Sequence, residues 1–402
     1  MTFDKILTPE VADILNNLEY NGFEAFLVGG CVRDAILGRK CRDVDIATNA
    51  SAQQIAKIFK TYEIITAGFE FGTINVKGKS GNIFDITPFR LEGEYLDGRH
   101  PSSVTFGGDI HTDLARRDFT VNSLAVNLRG ELVDDFGGLN DCTVRQIKCV
   151  REPTPRFCED YLRILRALRF SAVLDFSIEQ QTACAIHELS SLAANISPQR
   201  ACEECKKLFS TPHNRQLEKL LTDFSDVFET LFACEVPKKA AERIGKLQNE
   251  TNAILKLAML FAKTNISTCR LFTHKNFFSK TEKTLFYSLC AADSHKLHNR
   301  KDTVKYAVQL GKERIHILAA LKQSAPDEQK CINDIQNDIN SGLFPFSVGE
   351  LAVKGTDLIE IGLSGKAIGC TLKYLLNCVQ NKELPNEKNT LLNYTKNNFV
   401  QF

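Results

Sequence analysis

Two glycines and two aspartates near the start of the 402-residue chain have the types and spacing that phosphate chemistry requires. Gly29 and Gly30 separate a predicted strand from a predicted helix, where backbone amides can approach a phosphate, and Arg33 can add a charge-assisted contact. Asp43 and Asp45 lie two residues apart on the next predicted strand, so both carboxylates leave the same face. Such oxygen ligands favour Mg²⁺, and a pair of these ions drives in-line attack on phosphorus. The pattern predicts a metal-dependent site that acts on a phosphate group.

Each of these signals has an ordinary structural explanation when taken alone. A Gly-Gly pair is usually only a turn, and an Asp-x-Asp sequence usually lies in a solvated loop or caps a helix. Their combination, each on the element that the chemistry needs, favours the functional interpretation. The chain has no Gly-x-x-x-x-Gly-Lys-Ser/Thr sequence, which excludes a P-loop as the phosphate binder.

Alternating strand and helix signals surround these residues over the first 150 positions. The predicted strands are 24–28, 43–47, 73–77 and 83–87, and the predicted helices are 31–37, 52–60 and 112–126, with a hairpin around 129–130. The alternation predicts an α/β head on a small mixed sheet. Further along, helical periodicity takes over, for example at 161–173, 180–192, 252–261 and 368–379. We predict an all-helical arm with breaks near 213–215, 237 and 326–330.

The composition indicates a soluble globular protein with more than one domain. Hydrophobic residues make up 43% and charged residues 25%, and neither a membrane span nor a secretory leader is predicted. Residues 1–150 hold 16 Lys and Arg against 21 Asp and Glu, whereas the remainder holds 34 against 28. An acidic front part suits a cation site and a basic rear part suits a polyanion, although ordinary surface variation gives the same balance. The 14 cysteines are scattered, which favours reduced thiols in a cytoplasmic protein.

A second charged cluster lies at residues 159–166, which read EDYLRILR. On one helix, Glu159, Arg163 and Arg166 form a polar stripe, with Asp160 beside it. The stripe is either a set of surface salt bridges, worth about 0.3–0.5 kcal/mol each, or a site that reads a base. Asp and Arg side chains can match the donor and acceptor pattern of cytosine or adenine.

Residues 27–48, LVGGCVRDAILGRKCRDVDIAT, resemble the opening motif of the polymerase β-type nucleotidyltransferases, in the class II branch of CCA-adding enzymes and bacterial poly(A) polymerases. The resemblance is strong over residues 22–205 and weaker over 351–392. It implies that Asp43 and Asp45 hold two Mg²⁺ ions. It also implies that Gly29, Gly30 and Arg33 bind the triphosphate of the substrates CTP and ATP.

Later motifs imply further nucleotide-binding residues. Residues 116–122, RRDFTVN, resemble the second family motif, in which Arg117 and Asp118 contact the nucleotide and Asn122 orients them. Without a ligand, the predicted helix carrying this charged pair would be an ordinary exposed face. In the cluster at 159–166, the resemblance makes Asp160 and Arg163 a protein template for the incoming base. Glu159 is then an orienting partner, and two further contacts are implied, Arg166 and Arg169.

Two further motifs complete the resemblance, and one residue departs from it. Residues 135–138 resemble a hinge motif, and residues 197–200 with Glu203 or Glu204 resemble a fifth, mainly structural motif. Asp85 is a candidate third catalytic carboxylate, where the family more often has Glu; its shorter side chain leaves direct metal contact open.

Several activities are compatible with these motifs. The segment 91–109 that CC-only enzymes lose is intact, and residues 67–73 lack the basic run of the poly(A) polymerases. Both observations favour addition of C, C and A to the 3′ end of tRNA, with release of pyrophosphate. Addition of A alone, poly(A) synthesis and an RNA-binding protein without activity are the alternatives. The simultaneous presence of all the required residues argues against the inactive protein.

The resemblance also divides the chain into domains. It implies a catalytic head at 1–148, a neck with the templating helix at 149–212, a body at 213–300 and an RNA-binding tail at 301–402. The implied partners are nucleoside triphosphates and the acceptor stem of tRNA.

Overall fold

The computed structural model describes residues 3–41, 43–65, 72–93, 95, 98–99, 102–212, 214–236, 240–245, 247, 250–261, 278–322 and 325–399. Of the motifs and segments discussed above, residues 42, 67–71, 94, 96–97, 100–101, 213 and 237 lie outside the described residues. The chain forms two compact units, residues 1–232 and 233–402. The finer boundaries at 148, 212 and 300 stay predictions.

The first unit is built on a seven-stranded mixed sheet. In chain order its strands are β1 (Ala25–Val28), β2 (Val44–Thr48), β3 (Glu63–Ile65), β4 (Ile74–Lys77), β5 (Ile83–Pro88), β8 (Ala125–Asn127) and β9 (Leu132–Val133). Between β5 and β8 in the chain, β6 (Arg90–Glu92) and β7 (Val104–Phe106) form a separate two-stranded sheet. The seven strands of the mixed sheet lie in the order β3-β4-β5-β2-β1-β8-β9, and only β2 and β5 are parallel. The predicted α/β head on a small mixed sheet is confirmed.

Helices cover this sheet and extend the unit beyond it. They are α1 (Pro9–Tyr20), α2 (Gly30–Ile36), α3 (Ala52–Ile58), α4 (Ile110–Ala115), α5 (Gly138–Val144), α6 (Pro153–Glu159), α7 (Leu162–Leu174), α8 (Gln180–Glu188), α9 (Pro198–Phe209), α10 (Arg215–Asp223) and α11 (Ser225–Phe232). Short 3₁₀ turns lie at Thr120–Asn122 and Ser190–Asn195, and β10 (Gln146–Ile147) pairs with β11 (Ser177–Ile178). The predicted helix 180–192 is therefore an α-helix followed by a 3₁₀ turn.

The local sequence explains how the glycine pair comes to lie between a strand and a helix. The strand β1 reads Ala-Phe-Leu-Val and is mostly buried, as expected for a central strand. Gly29 follows it with φ +73°, a conformation that residues with a Cβ rarely adopt, and the chain then turns into α2. A Cβ on Gly29 would also lie 2.6 Å from Nη1 of Arg117. Glycine is therefore required at this turn.

The predicted helix over 112–126 is wrong. The helix α4 ends at Ala115, and the chain then pairs with residues 148–150 through Thr120 N–H to Lys148 O (2.9 Å) and Val150 N–H to Asp118 O (3.0 Å). The Asp118 carboxylate accepts from the N–H of Phe119 at 2.8 Å, which favours an extended backbone over another helical turn. Arg117 and Asp118 therefore lie in a connection, and Asp118 is buried, not on an exposed helical face.

The single helix predicted through residues 159–166 is also wrong. The helix α6 ends at Glu159, Asp160 is extended with φ −146° and ψ 105°, and α7 begins at Leu162. The Asp160 carboxylate accepts from the N–H of Leu162 at 3.1 Å, so it satisfies one of the free amides at the start of α7. Asp160 thus stands in a break between two helices.

The described residues of the second unit form helices joined by turns and irregular segments, with no strand among them. Its α-helices are Ala240–Gly245, Ala253–Leu260, Lys280–Ser294, Arg300–Leu310, Ile315–Leu321, Pro326–Asn340, Gly355–Glu360, Lys366–Gln380 and Lys388–Phe399. The stretch 326–330 begins a helix with proline at its first position, so the predicted break at these residues is wrong. The C-terminal part of this unit packs around a core of buried apolar residues that includes Leu351, Val353, Leu358, Leu375 and Leu391. Among the described residues, no helix is both long and apolar enough to cross a membrane.

Candidate active site

A cavity of about 510 Å³ in the first unit brings most of the predicted site residues together. Its lining includes Gly29, Gly30, Arg33, Asp45, Arg117, Asp118, Asn122, Asp160, Arg163 and Arg166. Asp43 lines an adjoining cavity of about 720 Å³, which shares Gly30, Arg33 and Asp45 with the first. Glu159 lines a third cavity, whereas Asp85 and Arg169 line none of the three. Residues predicted from motifs more than 100 positions apart therefore face one space.

Three carboxylates lie on or next to the strands β2 and β5, and Asp45 is the one among them that lines the first cavity. Asp45 and Asp85 are direct partners in the parallel register of these two strands, and Asp43 immediately precedes β2. Burial raises the pKa of Asp45, and the negative charges of Asp85 and Asp43 raise it further, against the opposing charge of Arg117. A cation would relieve this repulsion.

Mg²⁺ fits this donor set as an ion shared with the substrate. Among the described residues, no three Asp, Glu, His or Cys side chains converge as a ready-made metal site. Mg²⁺ is commonly held by one or two carboxylates together with substrate phosphates and water. Asp43 and Asp45 would supply the carboxylates, and Asp85, whose side chain accepts a hydrogen bond from Asn75, is a neighbour on the adjacent strand.

The side of the cavity next to α2 carries the phosphate-binding candidates. Nη1 of Arg33 donates to the Asn122 side chain at 2.6 Å, and its Nε donates to Asp34 at 2.9 Å. Asn122 in turn donates to Asp118 at 3.1 Å. The predicted orienting residue Asn122 therefore links an arginine from the first motif to a carboxylate from the second.

Asp118 is buried but charged. Burial alone would raise its pKa, but the charge of Arg166 and hydrogen bonds from Asn122 and Arg166 hold the pKa below its ordinary value. Nε of Arg166 donates to Asp118 at 2.7 Å. Arg166 thus faces the cavity while it is fixed by a residue of the second motif.

The predicted template residues Asp160 and Arg163 line the same cavity. Arg163 donates to Glu159, to the carbonyl oxygen of Arg156 at 2.9 Å and to that of Arg116 at 3.4 Å. Asp160 accepts two hydrogen bonds from Arg200. The sequence predicted only a structural role for residues 197–200. Asp160 and Arg200 are 40 positions apart, so no local sequence pattern indicates that they are paired.

The structure distinguishes Glu203 from Glu204, which the sequence motif left as alternatives, and it places Arg169 outside the cavity. Glu204 is buried and lies 2.5 Å from Nε of Arg169, whereas Glu203 is exposed. Arg169 is therefore directed to α9 and not to the cavity.

Three residues that line the cavity were not predicted from the sequence: Tyr95, Arg116 and Phe170. The ring of Phe170 lies 5.4 Å from Cζ of Arg33 and 5.3 Å from that of Arg166; in sequence it reads as a core residue of α7.

Similarity to known proteins extends over the whole chain. A CCA-adding enzyme of Lactococcus lactis subsp. cremoris (strain MG1363) is 34% identical over 403 residues, which cover 95% of this chain and 94% of the relative. The chain belongs to the family of CCA-adding enzymes. The resemblance noted in the sequence is thereby confirmed. Two family models also match: the poly A polymerase head domain at residues 25–148 and the probable RNA and SrmB-binding site of polymerase A at residues 175–232.

Solved structures of this family have the same fold. The Bacillus stearothermophilus CCA-adding enzyme in complex with CTP is 27% identical, with a TM-score of 0.65 over 96% of this chain and 97% of that one. The Thermotoga maritima CCA-adding enzyme complexed with tRNA is 19% identical, with a TM-score of 0.67 over 100% of this chain and 99% of that one, and supports the fold alone. The predicted order of an α/β head and a helical remainder is confirmed.

Proposed function

We propose that the protein adds C, C and A to the 3′ end of tRNA, using CTP and ATP and releasing pyrophosphate. Family membership over 95% of the chain carries this conclusion. The cavity supports it, because Asp45, the phosphate-binding candidates Gly30 and Arg33 and the base-reading candidates Asp160 and Arg163 line the same space. The location that we propose is the cytoplasm.

Asp43 and Asp45 would hold two Mg²⁺ ions. Bound ions of this kind favour deprotonation of a hydroxyl and neutralise charge on phosphate oxygens. The raised pKa of Asp45 is consistent with this role, since its carboxylate lies among other acids that a cation would stabilise. The RNA 3′-hydroxyl attacks the α-phosphorus in line, and the residues of the chain contribute by positioning both substrates.

The nucleotide would lie with its triphosphate against α2 and its base against α7. Gly29, Gly30 and Arg33 bind phosphate oxygens, and Arg117 lies beside them, 2.6 Å from where a Cβ of Gly29 would stand. Asp118 is held as a carboxylate, so it can accept a hydrogen bond from a ribose hydroxyl.

Asp160 and Arg163 would select the base. Cytosine and adenine each present an amino donor beside a ring-nitrogen acceptor on the Watson–Crick edge, whereas uracil and guanine present a carbonyl acceptor beside an N–H donor. A carboxylate next to a guanidinium matches the first pattern and is mismatched with the second. One fixed pair of side chains can therefore accept CTP and ATP and reject UTP and GTP.

The helical remainder would hold the tRNA. Residues 175–232 match an RNA-binding family model, and positions 151–402 hold 34 Lys and Arg against 28 Asp and Glu. An arm of this kind binds the acceptor stem through phosphates and shape, not by reading bases in a duplex.

The experiment that tests this function uses purified protein, Mg²⁺ and tRNA that lacks its last three nucleotides. We expect two additions with CTP alone, none with ATP alone and three when both are present. Addition of A only to tRNA that already ends in CC would identify an A-only enzyme, and a long ladder of A a poly(A) polymerase. RNA binding without any product would identify an inactive RNA-binding protein.

A further inference from the structure

One apolar side chain lines the proposed nucleotide cavity, and it lies among charged groups. Of the described residues around this cavity, Phe170 alone has a wholly apolar side chain. It lies on α7 and is 8% exposed, and its ring packs edge-to-face on that of Phe119, with the centroids 5.9 Å apart. A residue that only fills space at this place could equally be leucine. The groups around the ring therefore decide whether Phe170 has a role in the site.

Three guanidinium groups surround the Phe170 ring. Their Cζ atoms lie 5.4 Å (Arg33), 5.3 Å (Arg166) and 4.0 Å (Arg169) from the ring centroid. The face of an aromatic ring carries negative charge, and a guanidinium within about 6 Å of the centroid is attracted to it. Arg33 comes from α2 and the other two arginines come from α7. The ring therefore joins groups that two separate motifs supply.

The ring is not needed to neutralise these arginines. Each arginine has a carboxylate partner of its own, in the pairs Arg33–Asp34 (2.8 Å), Arg166–Asp118 (2.6 Å) and Arg169–Glu204 (2.5 Å). The three carboxylates belong to α2, to the connection after α4 and to α9. Because they come from different parts of the fold, they set no common position for the guanidinium groups. The ring contacts all three arginines and can set one.

Hydrogen bonds and the ring together form a closed path around two of the arginines. Nη1 of Arg33 donates to Asn122 at 2.6 Å, and Asn122 donates to Asp118 at 3.1 Å. Nε of Arg166 donates to the same Asp118 carboxylate at 2.7 Å. Phe170 closes the path, because its ring contacts both Arg33 and Arg166. Without the ring, only the hydrogen-bonded side of the path would hold the two guanidinium groups together.

We propose that Phe170 is a positioning residue for nucleotide transfer, and that its ring holds the guanidinium groups of Arg33 and Arg166 where they bind the nucleotide. The proposal rests on the proposed function, which assigns Arg33 to the triphosphate. Selection of the base is left to Asp160 and Arg163. A change of the ring should therefore weaken the binding of CTP and ATP alike.

The first test is Phe170→Leu, with Phe176→Leu as a matched control. Phe176 is 1% exposed, its ring lies 5.7 Å from Cζ of Arg145, and it does not line the nucleotide cavity. Both variants lose a buried ring beside an arginine, but only Phe170→Leu should raise KM for CTP and for ATP, each about tenfold. KM for tRNA and the CTP-to-UTP ratio of kcat/KM should stay at the wild-type values. Equal rises of KM in the two variants, or a changed ratio, would overturn the proposal.

Fluorinated phenylalanines at position 170 separate the charge of the ring from its volume. Residues with one, two and three ring fluorines withdraw charge from the ring face in steps and differ little in size from phenylalanine. We expect the Kd of CTP to rise with each fluorine and to reach about ten times the wild-type value with three. Isothermal titration calorimetry with Mg²⁺ and without RNA would measure it, and the same series at Phe176 should leave the Kd constant. A constant Kd through the series at Phe170 would mean that this ring only fills space, and would overturn the proposal.

Arg166→Gln shows whether the ring acts through its proposed partner. It removes one guanidinium from the Phe170 ring, so three fluorines should raise the Kd of CTP by a smaller factor in this variant than in the wild type. Arg145→Gln, which removes the guanidinium from the Phe176 ring, is the control and should leave that factor unchanged. An undiminished factor in Arg166→Gln would contradict the positioning role.

The binding measurement also separates this proposal from the proposed function, because it uses no RNA. A protein that binds CTP with the expected dependence on fluorine but extends no tRNA would lack the proposed activity and keep the positioning role of Phe170. A wild-type protein that extends tRNA while its Kd for CTP ignores the fluorines would keep the activity and lose the positioning role.

Discussion

Both carboxylate oxygens of Asp160 accept hydrogen bonds from the guanidinium of Arg200, with donor–acceptor distances of 3.0 and 2.7 Å. Asp160 lies in the break between α6 and α7, and Arg200 lies in the first turn of α9. A bidentate pair fixes the plane of a carboxylate and leaves other lone-pair positions open. We therefore propose that Arg200 positions Asp160 for base selection.

Arg200→Ala should relax the choice of base. Without the guanidinium, the Asp160 carboxylate can rotate, and the preference for CTP over UTP, measured as the ratio of kcat/KM values, should fall about tenfold. Gln199→Ala, on the exposed side of the same turn, is the control and should leave the ratio unchanged. A loss of CTP and UTP incorporation in equal proportion would contradict the positioning role.

Arg163→Ala should also relax base choice, and by more than it lowers RNA affinity. Its side chain is anchored to two carbonyl oxygens and to Glu159, so it presents fixed donors to the base. Incorporation of all four nucleoside triphosphates at saturating tRNA would be measured beside binding of labelled tRNA. Equal loss for the four nucleotides would mean that Arg163 supports the fold of α7 and does not read the base.

The sequence predicted local features of this site well, and long-range ones poorly. The strand, Gly29-Gly30 turn, helix α2 and strand β2 depend on neighbouring residues, so their order could be predicted. Helical periodicity continues through Asp118 and Asp160, although neither residue lies in a helix. Part of what holds them there, the pair of Asp160 with Arg200 and the pairing of residues 118–120 with 148–150, joins residues 28 to 40 positions apart, which a local pattern does not show.

Asp43→Ala and Asp45→Ala should abolish nucleotide transfer and leave tRNA binding intact. Removing either carboxylate would leave one of the two that we propose hold the metal ions, and neither residue belongs to the RNA-binding match at residues 175–232. Asp13→Ala, an exposed carboxylate on α1, is the control. Product formation and filter binding of tRNA would be compared for each variant. Residual transfer at wild-type rates would remove these residues from the catalytic role.

Asp85→Asn tests whether the third carboxylate contributes through its charge. It keeps the size of the side chain beside Asp45 but removes one negative charge from the pair of strands. We expect kcat to fall by about 100-fold and to recover in part at higher Mg²⁺ concentration, as for weakened metal binding. A fall that Mg²⁺ does not relieve would point to a role in holding Asn75, which donates a hydrogen bond to Asp85.

Glu204→Gln should destabilise the first unit, and Glu203→Gln should not. Glu204 is 5% exposed and lies 2.5 Å from Nε of Arg169, whereas Glu203 faces solvent. Breaking a buried pair leaves an uncompensated charge, so we expect a loss of about 3 kcal/mol for Glu204→Gln and less than about 0.5 kcal/mol for Glu203→Gln. Urea unfolding followed by circular dichroism would measure both. Equal effects would mean that the Arg169 pair adds no net stability.

Asp113 should make stability depend on pH on the acid side. It is 1% exposed and accepts hydrogen bonds from Arg116 at 2.6 Å and Arg117 at 3.1 Å. Burial alone would raise its pKa, but the charges of Arg117 and Arg116 and their hydrogen bonds hold the pKa below its ordinary value of 3.8. A carboxyl with a lowered folded pKa contributes stability that is complete above its unfolded pKa and is lost as the pH falls through the folded one.

Asp113→Asn should therefore cost about 2 kcal/mol at pH 7, and the difference from the wild type should shrink below about pH 4 as the wild-type carboxyl becomes protonated. Urea unfolding at pH 7, 5, 4 and 3 would measure this difference. Asp13→Asn is the matched control, since Asp13 is 60% exposed and lies 3.9 Å from Lys79, a distance at which little stabilisation is expected. If the loss of stability caused by Asp113→Asn stayed constant over this pH range, its cause would be packing. The contribution of the carboxylate charge disappears when Asp113 is protonated, whereas a packing contribution does not depend on pH.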